Sequence, residues 1–347
     1  MKIGIILNNQ HTIGSDMTVS LREQLAMVRL AREGGWDSYL ASMHYLNTGN
    51  AVAMQQVPLL GRLAGEAGQM TMGVAIYLLN LHNPVLTAEH IATLDIISGG
   101  NFVFGIGLGY RDEEFNAFGV PKGQRVARFE TCLDLVKRLW SGEEVSYDSD
   151  WCRLDKARLT LLPVQRPHPP IWFGANHDNA VRRAALLGDC WYINPHATLD
   201  TNKRQMTLYL ETRKQAGLPP PAEVPCRKEI FCARTRAEAL EMAGPYLAEK
   251  YKLYTLWGQD KAMPDDERLD LPLEELAQNR FVIGSPEDCY EQLRPWWEQL
   301  GVTHFVFRTH FVGMPISHAL HSMRMITRDL LPALREVRPP PPGGLPA

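Results

Sequence analysis

Histidines follow several short β-type runs of this sequence at the point where each run ends. His44, in the letters ASMHY, comes directly after one such run, and His82, His196 and His310 follow others. An imidazole titrates near neutral pH, so a positioned histidine can give or take a proton during catalysis. Surface loops are polar in any protein, but three runs that end directly in histidine-containing turns favour a ligand pocket at these ends.

Glycines alternate at positions 105, 107 and 109, in the letters GIGLG, after another β-type run. This spacing is not the G-x-G-x-x-G of dinucleotide-binding folds, and no strand with an acidic end lies about 20 residues further on. We therefore interpret the segment as a strand end at which a flat ring can approach the backbone.

Residues 174–177, with the letters GANH, lead into a predicted helix. The N–H groups of the first helical turn have no partner within the helix, so they can hold a phosphate. The same letters also suit an ordinary turn in which Asn or Asp caps the helix. Both interpretations stay open at this point.

Other side chains could contact a substrate, while metal and serine-hydrolase chemistry find little support. No H-x-x-x-H or H-x-x-E-H pair falls on a helix and no G-x-S-x-G is present, so we expect neither a metal site nor a serine nucleophile. The substrate candidates are Asn8, Tyr77, Trp172, Tyr192 and Trp257. Each of the aromatic candidates could equally pack within the barrel or the helix layer.

The elements that must position these residues alternate between strand and helix. Eight such units without a break in composition predict an α/β fold: a single (β/α)8 TIM barrel over residues 1–337, with its active site at the C-terminal ends of the strands. The predicted strands are residues 2–7, 38–41, 71–78, 102–106, 171–173, 190–193, 224–232 and 303–308.

Three segments do not fit the repeat. Residues 146–170 are polar and proline-rich, which indicates an insertion, and residues 256–279 are charged and long enough to form a lid. Residues 338–347 contain four successive prolines and two glycines, so we expect a disordered tail.

Composition limits the class of protein. The chain has 45% hydrophobic residues, 22% charged residues and a formal net charge of -3, which disfavours a nucleic-acid partner. Its six cysteines form no C-x-x-C pair, and no stretch approaches the roughly 20 apolar residues of a membrane span. No secretory signal opens the sequence, so a cytoplasmic protein with reduced thiols and no membrane partner is expected.

Taken together, these segments resemble the bacterial luciferase-like monooxygenase family. The most specific stretch, residues 82–121, contains a proline-led helix with Ala-Glu, then Leu-Asp, Ser-Gly-Gly, Gly-x-Gly-x-Gly, Glu-Phe and Phe-Gly. The resemblance is continuous from residue 1 to about residue 187, and it returns at GSPEDCYEQL and GVTHFVFR. It implies a flavin-binding (β/α)8 barrel with an insertion near the fifth strand and a mobile loop after the seventh.

The resemblance also implies roles for individual residues. His44 matches the family histidine that in luciferases helps handle the flavin peroxide, and Ala75-Ile76 matches a dipeptide whose cis bond often supports the flavin ring. Met43 and Leu108 depart from the Glu and Arg that other members carry at these positions. The remaining cofactor positions are Glu89, Gly107, Gly109, Tyr110, the phosphate turn Gly174, Ala175, Asn176 and His177, and either Arg125 or Arg128 as its cation.

The activity that the resemblance implies is monooxygenation by a two-component system. Such a protein uses reduced, non-covalently bound FMN and O2 to oxygenate a small organic substrate, receives the FMN from a separate flavin reductase, and forms a homo-oligomer. Two alternatives stay open: an oxidoreductase that transfers hydride with a deazaflavin, and a non-catalytic flavin-binding protein. The identity of the substrate is not determined by the sequence.

Overall fold

Eight parallel strands close into a barrel in the computed structural model, which describes residues 1–7, 9–47, 49 and 51–341. Successive strands along the chain are neighbours around the barrel, and β1 pairs with β8. A bridge between Ile193 and Cys226 joins β6 to β7 and completes the ring. The strands are β1 (Lys2–Leu7), β2 (Ser38–Ala41), β3 (Thr71–Leu78), β4 (Phe102–Gly107), β5 (Ile171–Gly174), β6 (Cys190–Tyr192), β7 (Pro225–Cys232) and β8 (His304–Arg308).

Helices cover the outside of this ring. All eight predicted strands are present within one residue of the expected bounds, and the predicted barrel class is confirmed. The helices are α1 (Met17–Glu33), α2 (Gln56–Ala67), α3 (Pro84–Ile97), α4 (Asp112–Ala117), α5 (Arg125–Ser141), α6 (Asp178–Leu187), α7 (Leu199–Gln215), α8 (Arg236–Leu256), α9 (Leu273–Ala277), α10 (Pro286–Leu300), α11 (Ile316–Met325) and α12 (Leu331–Glu336).

The buried face of helix α7 is largely polar. Asn202, Gln205 and Arg213 are buried and hydrogen-bonded to backbone carbonyl groups. A search for apolar residues at helical spacing cannot find such a helix, because its inward stripe carries amides and a guanidinium.

Strand alternation sorts side chains between the barrel interior and the helix layer. Along β8, His304 contacts Trp172 across the interior and Val306 packs in the interior apolar cluster, whereas Phe305 and Phe307 stack on each other and contact tryptophans of the helix layer. The same alternation sets which residues of each strand can reach a ligand.

The two irregular segments contain short elements. An antiparallel hairpin, Val145–Ser149 with Cys152–Ala157, forms the first part of the predicted insertion. The buried Asp95 carboxylate anchors the loop that follows by accepting from the backbone N–H groups of Val164 (2.6 Å) and Gln165 (3.0 Å). Further short strands are Gln10–His11 with Val52–Ala53, and Val282–Gly284 beside β7. The last six residues of the predicted tail lie outside the described residues.

No helix in the described part of the chain is both long and apolar enough to cross a membrane.

Candidate active site

A cavity of about 840 Å³ opens at the C-terminal ends of the barrel strands. Its size is in the usual range for small-molecule and cofactor sites. The predicted site residues that line it are His44, Ala75, Ile76, Gly109, Tyr110, Arg125, Gly174, Ala175, Asn176, His177, Tyr192 and Trp257.

His44 is held at one side of this cavity by a buried carboxylate. Its Nδ1 lies 3.2 Å from Oε1 of Glu114, whose side chain is fully buried, and the same oxygen accepts from the backbone N–H of Tyr45 at 2.8 Å. Because a carboxylate only accepts, the ring proton belongs on Nδ1, and Nε2 remains for proton exchange. Glu114 therefore fixes both the orientation and the tautomer of His44.

Arg111 completes this arrangement. Its buried guanidinium donates to the carbonyl groups of Tyr45 (2.8 Å) and Leu46 (3.1 Å), lies 3.8 Å from the Glu114 carboxylate, and sits over the ring of Trp257 at 4.7 Å. The loop after β2 is thus tied to α4 and to the segment after α8. Sequence reasoning missed Arg111 and Glu114, although both lie within residues 82–121, the stretch that is most specific for the resemblance.

Aromatic side chains surround the His44 ring. The ring centroids of Trp257, Tyr110 and Tyr254 lie 5.2, 5.7 and 6.4 Å from that of His44, all edge-on. Burial raises the pKa of the Tyr110 phenol well above its ordinary value, so this hydroxyl stays protonated. It has no hydrogen-bond partner among the described residues, which leaves it available to a bound molecule.

The peptide bond between Ala75 and Ile76 is cis, as the resemblance implied. Gly107 and Gly174 make room for the Ile76 side chain: a Cβ on Gly107 would lie 2.1 Å from Ile76 Cδ1, and one on Gly174 would lie 3.1 Å from Ile76 Cγ2. This corrects the interpretation of the alternating glycines. Gly107 accommodates a neighbouring side chain and does not itself line the cavity, whereas Gly109, with φ +74°, does line it.

The opposite side of the cavity contains the start of a helix and an arginine. The turn after β5 leads into α6, whose N-cap residue His177 makes no side-chain cap hydrogen bond. The side chain of Asn194 donates to the carbonyl of Ala175 (3.3 Å) and that of Gln205 to the carbonyl of Asn176 (2.8 Å), so the turn is rigid. Arg125 lines the same cavity and supplies a cation.

Several predicted residues lie elsewhere. Glu89 is exposed on α3, and Arg128 stacks on Trp151 of the hairpin at 5.0 Å. Tyr77 points outward from β3 and packs on His82 with ring centroids 4.5 Å apart. None of these lines the cavity, because alternation along a strand or position around a helix turns each away.

Trp172 points into the barrel but is covered. Its ring stacks on that of Tyr192, with the centroids 5.5 Å apart, and Tyr192 rather than Trp172 faces the cavity. Asn8 lies outside the described residues.

Four buried charged residues next to the part of the cavity that Tyr192 and Tyr254 line were also missed. They are Arg227 and Glu229 on β7, Lys250 on α8 and Arg308 on β8. Arg227 Nη2 lies 3.1 Å from Glu229 Oε1, and Lys250 donates to the same oxygen. Arg308 donates to the hydroxyl of Tyr254 at 3.3 Å. The signal for this cluster was present in the sequence, since the letters RKE interrupt an otherwise apolar predicted strand.

The segment after α8 covers part of the cavity. Residues 257–259 and 261–262 line it, whereas the later part is fastened elsewhere by an almost fully buried ion pair between Arg280 and Glu267 at 2.5 Å. Glu267 also accepts from the Thr198 hydroxyl at 2.6 Å. Only the first part of the predicted lid therefore borders the site.

Comparison with known proteins extends this description to the whole chain. A family model described as luciferase-like monooxygenase matches residues 1–304. A phthiodiolone/phenolphthiodiolone dimycocerosates ketoreductase of Mycobacterium kansasii is 34% identical over 136 residues, which are 38% of this chain and 37% of that protein.

Two solved structures illustrate the range of proteins with this fold. The oxygenating constituent of the Pseudomonas putida 3,6-diketocamphane monooxygenase, in complex with FMN, superposes with a TM-score of 0.81 at 19% identity over 98% of this chain and 99% of that one. An F420-dependent secondary alcohol dehydrogenase, in complex with an F420-acetone adduct, gives a TM-score of 0.77 at 17% identity over 96% and 99%.

Proposed function

We propose, from the premise that this chain belongs to the luciferase-like monooxygenase family, that it oxygenates a small organic substrate with reduced FMN and O2. The observation that carries the proposal is one continuous cavity, with a helix start and Arg125 on one side and the half-buried His44, held by the buried Glu114, on the other. The family assignment makes the chain an oxidoreductase. The choice of FMN and of oxygen chemistry is our inference.

The residues present fit a phosphorylated flavin. Residues 174–177, the first N–H groups of α6 and Arg125 would hold the phosphate, and Ala75, Ile76 and Gly109 would border the ring system. This chain has Leu108 where other members of the family carry an arginine. Arg125 would therefore supply the guanidinium that contacts the phosphate. When bound, reduced FMN supplies the electrons with which O2 is activated.

The chain's own residues then control water and protons. Trp257, Tyr110 and Tyr254 form an apolar wall around His44, which limits the access of water to the reacting atoms. The His44 ring, held at Nδ1 by Glu114, would exchange a proton through Nε2 with a group bound in the cavity. A separate reductase would deliver the reduced FMN, and we expect the protein to work as a homo-oligomer.

A deazaflavin-dependent hydride transfer is the second candidate, supported by the similarity of fold to the F420-dependent dehydrogenase and by the stretch shared with the mycobacterial ketoreductase. Anaerobic titration with reduced FMN and, in parallel, with reduced coenzyme F420, followed by the intrinsic tryptophan fluorescence of the protein, separates the two. We expect reduced FMN to bind more tightly. Tight binding of reduced F420 with no binding of FMN would replace the first proposal by the second, and binding of neither would contradict both.

A further inference from the structure

The barrel end of the cavity, which we define by Gln10, Tyr192, Arg227 and Tyr254, carries an excess of positive charge. Arg227 is 8% exposed and lines the cavity. Glu229, which contacts Arg227, and Lys250, which contacts Glu229, do not line it. A ligand in this part of the cavity therefore meets the guanidinium first and the carboxylate only behind it.

The charges around Arg227 do not cancel. Within the described part of the chain, the guanidinium groups of Arg227 and Arg308 are grouped with one carboxylate, that of Glu229. Burial opposes the charge of Glu229, but Lys250 and the two arginines outweigh it and lower its pKa. Burial lowers the pKa of Lys250, yet even a neutral lysine would leave two cations for one anion.

The other described residues that line the cavity add no negative charge close to Arg227. Burial, and then the cations Lys250 and Arg227, lower the pKa of His196 well below its ordinary value, so that this ring is neutral. The acidic side chains that line the cavity, Asp112 and Glu113, are 68% and 57% exposed at its mouth, and Asp112 is paired with Lys122 at 2.6 Å. A buried cation that lacks a full counter-charge is costly, and an anionic ligand removes that cost.

Two buried polar atoms at this end also lack partners. Over the described ranges, the Nε of Arg227 and the hydroxyl of Tyr192 make no hydrogen bond, although Tyr192 is only 3% exposed. Tyr192 stacks on Trp172 beneath it, which fixes the position of its hydroxyl. Unpartnered buried donors in a binding cavity indicate a ligand group that accepts hydrogen bonds.

We propose that Arg227 and the hydroxyl of Tyr192 bind the carboxylate or sulfonate group of an acidic organic substrate. The proposal rests on the proposed function, because it assigns the barrel end of the same cavity to the substrate and leaves the helix start of α6 and Arg125 to the flavin phosphate. An oxyanion between a guanidinium and a phenol is a short, charge-assisted arrangement that also fixes the direction in which the rest of the substrate points. The carbon to be oxygenated then lies between Arg227 and His44.

The test uses the full-length protein without flavin, so that failure of flavin binding cannot obscure it. Benzoate, benzenesulfonate and neutral benzyl alcohol are titrated by calorimetry against wild type and against Arg227→Gln, Arg227→Lys and Tyr192→Phe. We expect both anions to bind wild type at least tenfold more tightly than the alcohol. Arg227→Gln should weaken the anions by about ten- to a hundredfold, since a hydrogen bond to a charged group contributes roughly 1.5–3 kcal/mol. Arg227→Lys should restore part of that loss, and Tyr192→Phe should cost severalfold.

Arg125→Gln is the matched control, because it removes a guanidinium from the other side of the same cavity. It should weaken reduced FMN and leave benzoate unchanged, and Arg227→Gln should do the reverse. Equal affinity for the alcohol and the anions, or anion binding unaffected by Arg227→Gln in a variant whose circular dichroism is native, would overturn the proposal. Loss of reduced FMN binding in Arg227→Gln without any anion binding by wild type would overturn it too, because the cation would then serve the flavin.

Discussion

At the scale of single residues, the chemistry of this site depends on how one histidine is held. Glu114 is fully buried, and its Oε1 contacts both His44 Nδ1 and the Tyr45 backbone N–H. A histidine held in this way presents Nε2 in a fixed position without needing to reorganise when a ligand arrives. We therefore propose that His44 transfers a proton and that Glu114 positions it.

Replacing His44 by Ala should reduce product formation by about 10²–10⁴-fold, the scale of a positioned acid or base. The affinity for reduced FMN should change little, because the turn at residues 174–177 and Arg125 lie on the other side of the cavity. The measurements are a reduced-FMN titration and a single-turnover product yield with a substrate that wild type converts. Unchanged turnover would remove His44 from the mechanism, and simple loss of flavin would make it a binding residue.

Replacing Glu114 by Gln tests the positioning role separately. The amide can donate to Nδ1 and so favours the wrong tautomer of His44, while the size of the side chain stays the same. We expect a fall in turnover of about ten- to a hundredfold with a displaced pH profile, since a misoriented histidine loses much of its catalytic effect. A profile identical to that of wild type would show that Glu114 is only structural.

The two arginines that the sequence could not distinguish should now behave differently. Arg125 lines the cavity, whereas Arg128 donates to Gln124 Oε1 at 3.2 Å and stacks on Trp151. Arg125→Glu should weaken reduced FMN by at least tenfold, because a charge reversal next to a phosphate is repulsive. Arg128→Glu serves as the control and should leave the dissociation constant within about twofold. The opposite order of effects would move the phosphate site to the side of α5 that faces the hairpin.

At the scale of elements, the segment after α8 divides into two parts with different roles. Residues 257–259 and 261–262 border the cavity, and Trp257 stacks on Tyr254 with ring centroids 5.6 Å apart. Residues 264–280 are tied to the start of α7 through Glu267 and Arg280. Deleting residues 257–279 would remove Glu267 and leave the buried Arg280 without its ion-pair partner, so only the first part is suitable for testing lid function.

Replacing residues 258–262 by two glycines should increase the rate at which the complex with reduced FMN releases hydrogen peroxide in air. Water would then reach reacting atoms that this part of the segment shields. We expect an increase of severalfold, measured by a peroxidase-coupled assay. The control is Arg268→Ala with Asp270→Ala, an exposed pair in the same segment away from the cavity. An unchanged rate in the shortened variant would exclude the lid role.

At the scale of the whole molecule, polar contacts at the N-terminal end of the barrel connect the first and last strands. Glu223, just before β7, lies 3.1 Å from His304 Nδ1 on β8 and 3.0 Å from Lys2 Nζ on β1. The other ring nitrogen of His304 contacts Ser38 Oγ of β2 at 2.9 Å. Four strands thus meet around one carboxylate on the face opposite the active site, where stability rather than catalysis is expected.

Glu223→Gln should destabilise the protein by about 1–3 kcal/mol near neutral pH, because it removes the negative charge that His304 and Lys2 contact. Burial raises the pKa of Glu223, but His304 and Lys2 outweigh burial and lower it from 4.5 to about 2. A depressed pKa contributes stability above about pH 4.5 that is lost as the pH falls toward 2.

The measurement is urea unfolding of wild type and Glu223→Gln at pH 6 and pH 3. The difference between them should shrink at the lower pH. Glu143→Gln, which removes an exposed partner of Arg138, is the control and should stay within about 0.5 kcal/mol of wild type at both values. A difference that is independent of pH would contradict the role assigned to the carboxylate.

The sequence by itself determined the barrel. Runs such as residues 71–78 and 102–107 read as strands because both of their faces are buried, and glycines, prolines and capping residues mark the helix ends. It also predicted that His44 and residues 174–177 lie at the same end of the barrel, where both line the cavity, because βα turns of a barrel meet on one face whatever the details of packing.

Only the tertiary structure decided which side chains meet. Tyr77 and Tyr192 looked equivalent along the chain, yet alternation sends one into the helix layer and the other into the cavity. Arg227 and Glu229 lie on one strand, but Lys250 and Arg308 come from elements further along the chain. Local periodicity carries no information about contacts between separate elements. The charge at the barrel end of the cavity, from which we infer an acidic substrate, follows from barrel closure and could not be predicted from spacing.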